Sequence, residues 1–215
     1  MIGAVGQPSA PGDDRGTRRP TADGWGLLLP STWWTVDLRE AEARRRSVAA
    51  LVEQQTGRAD VHASLRADLR RHLEGVAEQA AAAGGVLMAV SLMVAGGLPV
   101  PATMTLYRLP VASDLAIEGM AQIEAVFREQ GGHDALELAE GRMGPVLRRV
   151  SRRSGTEDLG ASTVTMLLVD YWLEPGDGRG LVSFTFSSPL VEARDALLEL
   201  FDAVVASVDT VGQGR

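Results

Sequence analysis

The sequence predicts a single α+β domain in which amphipathic helices cover a curved antiparallel sheet. Three observations lead to this class. Four segments repeat apolar residues at helical spacing, several other segments are apolar or alternating runs of strand length, and short turns rich in glycine and proline join the strand runs. Consecutive strands with short connections pair antiparallel, so the helices must lie on the faces of that sheet. We expect the order strand, helix, helix, two strands, helix, four strands, helix.

Polar terminal segments flank this domain. Residues 1–23 are rich in glycine, proline and charge and have no periodic apolar pattern, so they are predicted to be disordered. Residues 24–209 are predicted to form the domain, and residues 210–215 a frayed tail. The chain has no internal repeat and no linker-like interior segment.

The first half begins with a short strand, Trp25 to Leu29, that Pro30 ends, and an aromatic segment over 31–38 follows. Strong helix formers then predict a helix over 39–55. Asp60 is the expected N-cap of a longer helix that ends at Gly84. The apolar positions of this second helix are spaced 4, 4, 4, 3 and 4 residues apart, which is a helical period. They are Val61, Leu65, Leu69, Leu73, Val76 and Ala80.

Residues 79–107 contain no charged side chain, and this stretch is long enough to cross a bilayer. Glycine and proline interrupt it, however, and its longest continuous apolar piece has the length of a strand. We therefore predict two buried strands over 86–95 and 102–109, joined by a Gly-Gly-Leu-Pro turn.

In the second half, Ser113 or Asp114 is the expected N-cap of a third helix that stops at Gly131. Strands are predicted over 135–139, 145–153, 163–173 and 181–186, with a hairpin loop over 174–180. Ser187 or Ser188 is expected to cap the last helix. The apolar stripe of that helix consists of Leu190, Ala193, Leu197, Phe201, Val204 and Val208.

Composition excludes several chemistries. The chain has no cysteine and no lysine, so all 21 basic residues are arginine. Disulfides, thiol nucleophiles, iron–sulfur clusters, Walker A loops and Schiff bases are therefore excluded. A net charge of -7 argues against nucleic-acid binding and suits a cytoplasmic protein. The N-terminal residues do not resemble a secretory signal.

No catalytic or metal constellation is visible. His62 and His72 lie ten residues apart on one predicted helix, or ~15 Å along its axis, which is too far for one metal ion. His133 follows a glycine pair. No G-x-S-x-G motif marks a serine nucleophile. We expect no metal, no cofactor and no catalytic residue.

Four arginines are concentrated in the predicted strand 145–153. Arg148 and Arg152 share one face of an extended chain, and Arg149 and Arg153 share the other. Guanidinium groups on both faces favour an edge strand or a strand that ends in solvent, with carboxylate partners available at Glu157, Asp158, Asp170 and Glu174. The alternative is a site for an anion or an acidic partner, since clustered arginines bind phosphate and carboxylate groups well.

Two aromatic or polar pairs are further candidates. Trp33 and Trp34 are adjacent, so on an extended backbone one of them faces outward and is a candidate partner contact. Tyr107 and Arg108, on the strand over 102–109, are candidate polar groups of a pocket between the sheet and the helices.

Three segments carry a resemblance to known proteins. They are Leu28-Leu29-Pro30-x-x-Trp33-Trp34, the helix segment over 65–73, and Val169-Asp170-Tyr171-Trp172-x-x-Pro175-Gly176 with the strand and helix that follow. They resemble an actinobacterial protein family whose arrangement is similar to the PsbP/LpqN-like α/β/α sandwich, over most of residues 24–208. This resemblance implies a curved antiparallel sheet, a role as a binding or assembly accessory, and an association with type VII secretion. It carries over no active-site residue, and the two helices over 39–83 depart from the simpler members.

The leading hypothesis is thus a non-enzymatic accessory or protein-binding module, linked to secretion or envelope assembly, with an unidentified protein partner. The alternative is a small-ligand-binding protein or enzyme with a pocket between sheet and helices.

Overall fold

The computed structural model describes residues 17–20, 25–57, 62–109, 120–154, 164–174 and 180–210. Within these ranges the chain forms twelve strands and four helices. The strands are β1 Thr17–Pro20, β2 Trp25–Leu29, β3 Trp33–Asp37, β4 Gly85–Ser91, β5 Val94–Ala95, β6 Leu98–Pro99, β7 Thr103–Leu109, β8 Ala135–Gly141, β9 Gly144–Ser154, β10 Thr165–Leu173, β11 Leu181–Ser188 and β12 Asp209–Thr210. The helices are α1 Ala41–Thr56, α2 Ala63–Ala82, α3 Met120–Gln130 and α4 Arg194–Ala206.

Seven strands form one sheet in the order β3-β4-β7-β11-β10-β9-β8, and every neighbouring pair is antiparallel. Strands β1, β2 and β12 form a second, smaller sheet, and β5 pairs with β6 as a short hairpin. The predicted α+β class, with helices on a large antiparallel sheet, is confirmed.

Helix α4 and strand β2 cover one face of the large sheet, which we call the α4 face. The ring of Phe201 on α4 stacks on that of Phe186 on β11 with 4.3 Å between centroids. Tyr171 on β10 meets Phe186 edge-on at 5.6 Å. Leu27 and Leu29 of β2 join the same buried cluster. Because each buried aromatic side chain contributes about 1.5–3 kcal/mol, this cluster is the main core of the molecule.

The other three helices cover the opposite face in two separate patches. Helices α1 and α2 pack on β3 and β4 around Val36 and Met88, where the fully buried Ala77 lets α2 approach closely. Helix α3 packs on the same face, towards the β8 edge of the sheet, around Leu147 and Trp172. We call this face the α1–α3 face.

A row of polar side chains runs across the α1–α3 face from beneath α3 towards the centre of the sheet. Arg149, Asp170, Thr185 and Thr105 lie in register on four adjacent strands. The Thr185 hydroxyl donates to the Asp170 carboxylate at 2.8 Å, and this carboxylate also accepts from Arg149. Arg149, Asp170 and Thr185 therefore form a hydrogen-bonded network within the sheet, as a buried carboxylate requires.

One of the two predicted positions of the arginine-bearing strand is wrong. Strand β9 is not at the edge of the sheet, because it lies between β8 and β10, but its last three residues are exposed, as expected of a strand that ends in solvent. The tight turn between Gly141 and Gly144 folds β8 back against β9, so β8 takes the edge position.

Two boundaries also differ from the sequence prediction. Thr17–Pro20, within the segment predicted to be disordered, pairs with β2 as strand β1. Helix α4 begins at Arg194, after a 3-10 turn at Val191–Ala193. The hydroxyl of Ser188 accepts from the Leu190 N–H at 3.1 Å, so it stabilises the turn before the helix and not the helix itself. The predicted caps Asp60, Ser113 and Asp114 lie outside the described residues.

The uncharged stretch 79–107 contains the end of α2 and strands β4 to β7, so the predicted strand pair is present. None of the helices in the described ranges is long and apolar enough to cross a membrane. Between β4 and β7 the β5–β6 hairpin turns at Gly96 and Gly97, which both have positive φ. Its side chains Val94 and Leu98 are 65% and 71% exposed.

The close approach of α2 to β4 gives a first prediction. A Cβ atom on Gly85 would lie 2.7 Å from the carbonyl oxygen of Ala80 and 2.9 Å from a methyl carbon of Leu38. We expect Gly85→Ala to lower the free energy of unfolding by about 1–3 kcal/mol, because helix and strand must separate. Denaturant unfolding measures this change.

Gly75→Ala is the matched control, since a Cβ atom there meets nothing within 4 Å and the residue lies inside α2. This substitution should raise stability by about 0.5–1 kcal/mol. Equal effects of the two substitutions would contradict the close packing at Gly85.

Candidate binding cleft at the edge of the sheet

The sheet is wider than the single helix on its α4 face, and a cleft opens where α4 ends. This cleft has a volume of about 300 Å³ and lies between the last turn of α4 and strands β8, β9 and β10. Its apolar lining comprises Ala139, Met143, Val146, Leu173, Val205, Ala206 and Val208. Such walls suit an apolar group from outside the chain.

One wall of the cleft is a charged network that links three strands to α4. Arg148 on β9 donates to Glu137 on β8 and to Asp202 on α4, each at 2.5 Å. The Tyr171 hydroxyl on β10 donates to the second oxygen of Asp202 at 2.7 Å. The Arg148 side chain is only 21% exposed. We call these four residues the Arg148 network.

The environment shifts two pKa values in this network. Burial works against the Arg148 cation, but the charges of Asp202 and Glu137 outweigh it and raise the pKa of Arg148. Burial, followed by the bond to Asp202, raises the pKa of Tyr171 well above its ordinary value. Both groups therefore keep one protonation state over a wide pH range.

The polar groups of the Arg148 network are bonded to one another. Arg148 is held by two carboxylates, and the Tyr171 hydroxyl donates its proton to Asp202. What remains for chemistry is an apolar surface beside a fixed charged wall. This arrangement is suited to binding.

Metal ligation finds no support in the part of the chain that the structure describes. No group of three or more histidine, aspartate or glutamate side chains there is placed to hold a metal ion. His133 follows α3, and its Nδ1 atom is buried without a hydrogen-bond partner. The hydroxyl of Ser151 is also buried without a hydrogen-bond partner.

The four candidate arginines do not form one cationic surface. As the strand alternation predicts, Arg148 faces the cleft and Arg149 faces the opposite side of the sheet. Arg152 forms an ion pair with Asp134 at 2.7 Å, and Arg153 is exposed near the end of β9. Three of the four thus have a carboxylate neighbour, which neutralises much of the charge expected to bind an anion.

Arg149 is built into the fold of the α1–α3 face. Its Nε and Nη2 atoms donate to Asp170 at 3.2 and 2.8 Å. Its guanidinium carbon lies 4.4 Å from the ring centre of Phe127 and 5.2 Å from that of Trp172. Of the four carboxylates predicted as partners, Asp170 is therefore used, and Glu174 is exposed after β10 and pairs with none of the four arginines. Glu157 and Asp158 lie outside the described residues.

The tryptophan pair lies at the other edge of the sheet. Trp33 is 1% exposed, and its indole N–H points to the sulfur of Met93 at 3.3 Å. Trp34 is half-buried against α1, and its indole N–H donates to the Ser47 hydroxyl at 3.2 Å. Trp33 is thus a core residue, and Trp34, the outer of the two, mainly anchors α1 on the edge strand β3.

Tyr107 and Arg108 lie on β7, away from the cleft, and neither lines it. Their cross-strand neighbours are Ser183 and Val182, on opposite faces of the sheet. The structure therefore brings one predicted site residue, Arg148, to the cleft. Sequence reasoning missed Glu137, Tyr171 and Asp202. The only signal for Asp202 was a carboxylate next to Phe201 in the stripe of the last helix.

Neither a protein-family model nor a curated protein sequence matches the chain. Among solved structures, it is similar to the solution structure of the cyanobacterial PsbP protein CyanoP from Synechocystis, with a TM-score of 0.47 and 14% identity over 97% of this chain and 99% of that chain. It is also similar to the Saccharomyces cerevisiae Ran-binding protein Mog1p, with a TM-score of 0.43 and 10% identity over 93% and 97%. Similarities at this level carry no inference about binding or activity.

The contacts of Arg149 predict a large stability effect. Arg149→Met leaves the Asp170 carboxylate buried without its ion pair, so we expect a loss of about 3–5 kcal/mol in the free energy of unfolding. Arg153→Met is the matched control at an exposed position and should change stability by less than about 0.5 kcal/mol. Similar losses for both variants, measured by denaturant unfolding, would refute this structural role.

Tyr171 predicts an alkaline loss of stability. Its pKa is raised in the folded state, so its contribution is complete below the unfolded pKa of about 10 and is lost as pH rises above it. Between pH 8 and 11 we expect the free energy of unfolding to fall by about 1.4 kcal/mol through this group. With no lysine or cysteine in the sequence, tyrosines are the side chains that ordinarily titrate in this range.

Tyr171→Phe should abolish that alkaline loss and weaken the protein at neutral pH by about 1 kcal/mol. Tyr107→Phe leaves Tyr171 in place and should retain the loss. The measurement is denaturant unfolding at both pH values. An unchanged pH dependence in Tyr171→Phe would show that Asp202 does not hold this hydroxyl.

Proposed function

We propose that this chain is a non-enzymatic accessory module that binds another protein in the cleft on its α4 face. The observation that carries the proposal is an apolar cleft of about 300 Å³ whose charged wall is already satisfied within the chain. An enzyme needs groups free to act on a substrate, and the Arg148 network has its groups engaged with one another.

The position of the cleft favours a protein as its ligand. It opens beside β8, whose residues from Glu137 to Gly141 are all exposed. A partner seated there contacts apolar walls at its centre and the charged side chains of Glu137, Arg142 and Asp202 at the rim. Apolar centres with polar rims are typical of protein interfaces.

The β5–β6 hairpin adds a second exposed apolar feature. Residues 92–102 carry no charged or polar side chain, and Val94 and Leu98 at its tip are largely in water. Clustered exposed apolar side chains mark interaction sites in soluble proteins. This feature supports the broad class, a binding module, and leaves the cleft as the proposed site.

For the wider role we propose a cytoplasmic location and a place in secretion or envelope assembly. The net charge of -7 supports the first. The second rests on the resemblance of the sequence to actinobacterial proteins.

A small apolar ligand is the second candidate. The volume and lining of the cleft fall within the range of small-molecule sites, at its lower end. Native mass spectrometry of the purified chain distinguishes the two candidates. A bound small molecule adds a fixed mass to the chain, whereas a module that binds only proteins has the mass of the chain alone.

The test of the proposal uses two exposed alanines on α4. Ala206 lines the cleft, whereas Ala203 is exposed on the same helix and does not line it. Affinity purification with the wild-type chain identifies candidate partners, and titration calorimetry with each purified partner then gives the dissociation constants. We expect Ala206→Arg to raise the dissociation constant of the specific partner by about tenfold or more, because the new side chain fills the cleft.

Ala203→Arg adds the same charge to the same helix and should leave the dissociation constant unchanged. Thermal unfolding of both variants checks that the fold is intact. A partner that binds both variants as it binds the wild type would exclude the cleft as the binding site.

A further inference from the structure

Strand β8 is an edge strand that no other described strand pairs on its outer side. It is seven residues long, or about 23 Å. Leu138, near its middle, is 42% exposed. An open edge of this length is a template for pairing with another chain.

The backbone groups that point outward from β8 can be assigned. Glu140 lies opposite Pro145 of β9, and proline has no N–H to donate. That pair must therefore be of the non-hydrogen-bonded kind, in which the backbone N–H and C=O groups point away from the neighbouring strand. By alternation the same holds for Leu138 and Leu136. These three residues offer their backbone donors and acceptors at the free edge.

The side chains of β8 favour one charge in a strand that pairs with its free edge. Its only charged residues are Glu137 and Glu140, and the strand carries no cation. Two β8 strands brought edge to edge would place these carboxylates near one another, which disfavours a second copy of this chain. A strand with basic side chains meets opposite charges instead.

We propose that the bound partner contributes an extended, basic and apolar segment that adds to β8 as an eighth strand of the large sheet. This inference rests on the proposed function and identifies the chemistry of its partner. Backbone bonds to Leu136, Leu138 and Glu140 supply the pairing, and alternate side chains of the added strand face the α4 side, where the cleft takes an aliphatic one. The basic side chains of the segment lie on the opposite face, near Glu140, because Glu137 and Glu140 are three residues apart and face opposite sides of the sheet.

Leu138 allows a selective test. Because its N–H points away from β9, Leu138→Pro removes a donor from the free edge and none from the β8–β9 pairing. Leu138→Ala is the matched control, since it removes the same side chain and keeps the N–H. The probes are three labelled nine-residue peptides: one alternating leucine and arginine, its leucine–glutamate counterpart, and a peptide of the first composition with the leucines and arginines in separate blocks.

Fluorescence anisotropy gives the dissociation constants. We expect the alternating basic peptide to bind at least about tenfold more tightly than either other peptide, and Leu138→Pro to weaken it by about tenfold while Leu138→Ala does not. Equal binding of the alternating and block peptides would indicate charge attraction alone and overturn strand addition.

Amide hydrogen exchange of the wild-type chain keeps the test decisive if Leu138→Pro fails to fold. The exchange rates of the Leu136, Leu138 and Glu140 amides should fall on addition of the basic peptide, and unchanged rates there overturn the inference.

The failure of this inference can be told apart from the failure of the proposed function. If Ala206→Arg weakens binding of the protein partner and Leu138→Pro does not, strand addition is wrong and the cleft remains the site. If neither variant weakens that binding, the proposed function itself fails.

Discussion

The packing of helix α4 on the large sheet is the interaction on which the rest of the structure depends. Phe201 stacks on Phe186, and Leu197, Val204 and Val205 extend the contact along the helix. This one helix buries the α4 face of the central strands, but it ends at Ala206, before the outer strands are covered. The cleft is a consequence of that mismatch in width. A longer helix would close the space, and a shorter one would expose the aromatic cluster.

The outer strands of the large sheet are less covered by helices, and ion pairs join them to one another and to α4. Arg148 joins β8 and β9 to α4 on one face, while Arg149 joins β9 to β10 beneath α3 on the other. Arginine suits both places because its planar group forms several bonds at once and stacks on aromatic rings. Consecutive residues of a strand point to opposite faces, so these two adjacent arginines contact helices on opposite sides of the sheet.

Sequence periodicity predicted the parts of this structure that depend on local pattern. The stripe containing Leu197, Phe201 and Val204 identified the buried face of α4, and strand alternation placed Arg148 and Arg149 on opposite faces. Strand order depends on long-range pairing, which periodicity does not contain, so the sequence did not exclude an edge position for β9. The cleft was missed for the same reason. Asp202 and Tyr171 lie 31 residues apart, and they become neighbours only when α4 docks.

The cleft is held open by the residues around it, independently of any occupant. Gly141 lets the β8–β9 turn approach Val146, since a Cβ atom there would lie 2.7 Å from a Val146 methyl carbon. Ala139 and Ala206 are too short to fill the space between strand and helix. Arg148, which is long enough to do so, is held against the wall by two carboxylates. A surface whose shape is fixed before binding loses little conformational entropy when a partner arrives. The Arg148 network therefore contributes to recognition by staying in place, and the contacts of the partner fall on the apolar walls and the free edge of β8.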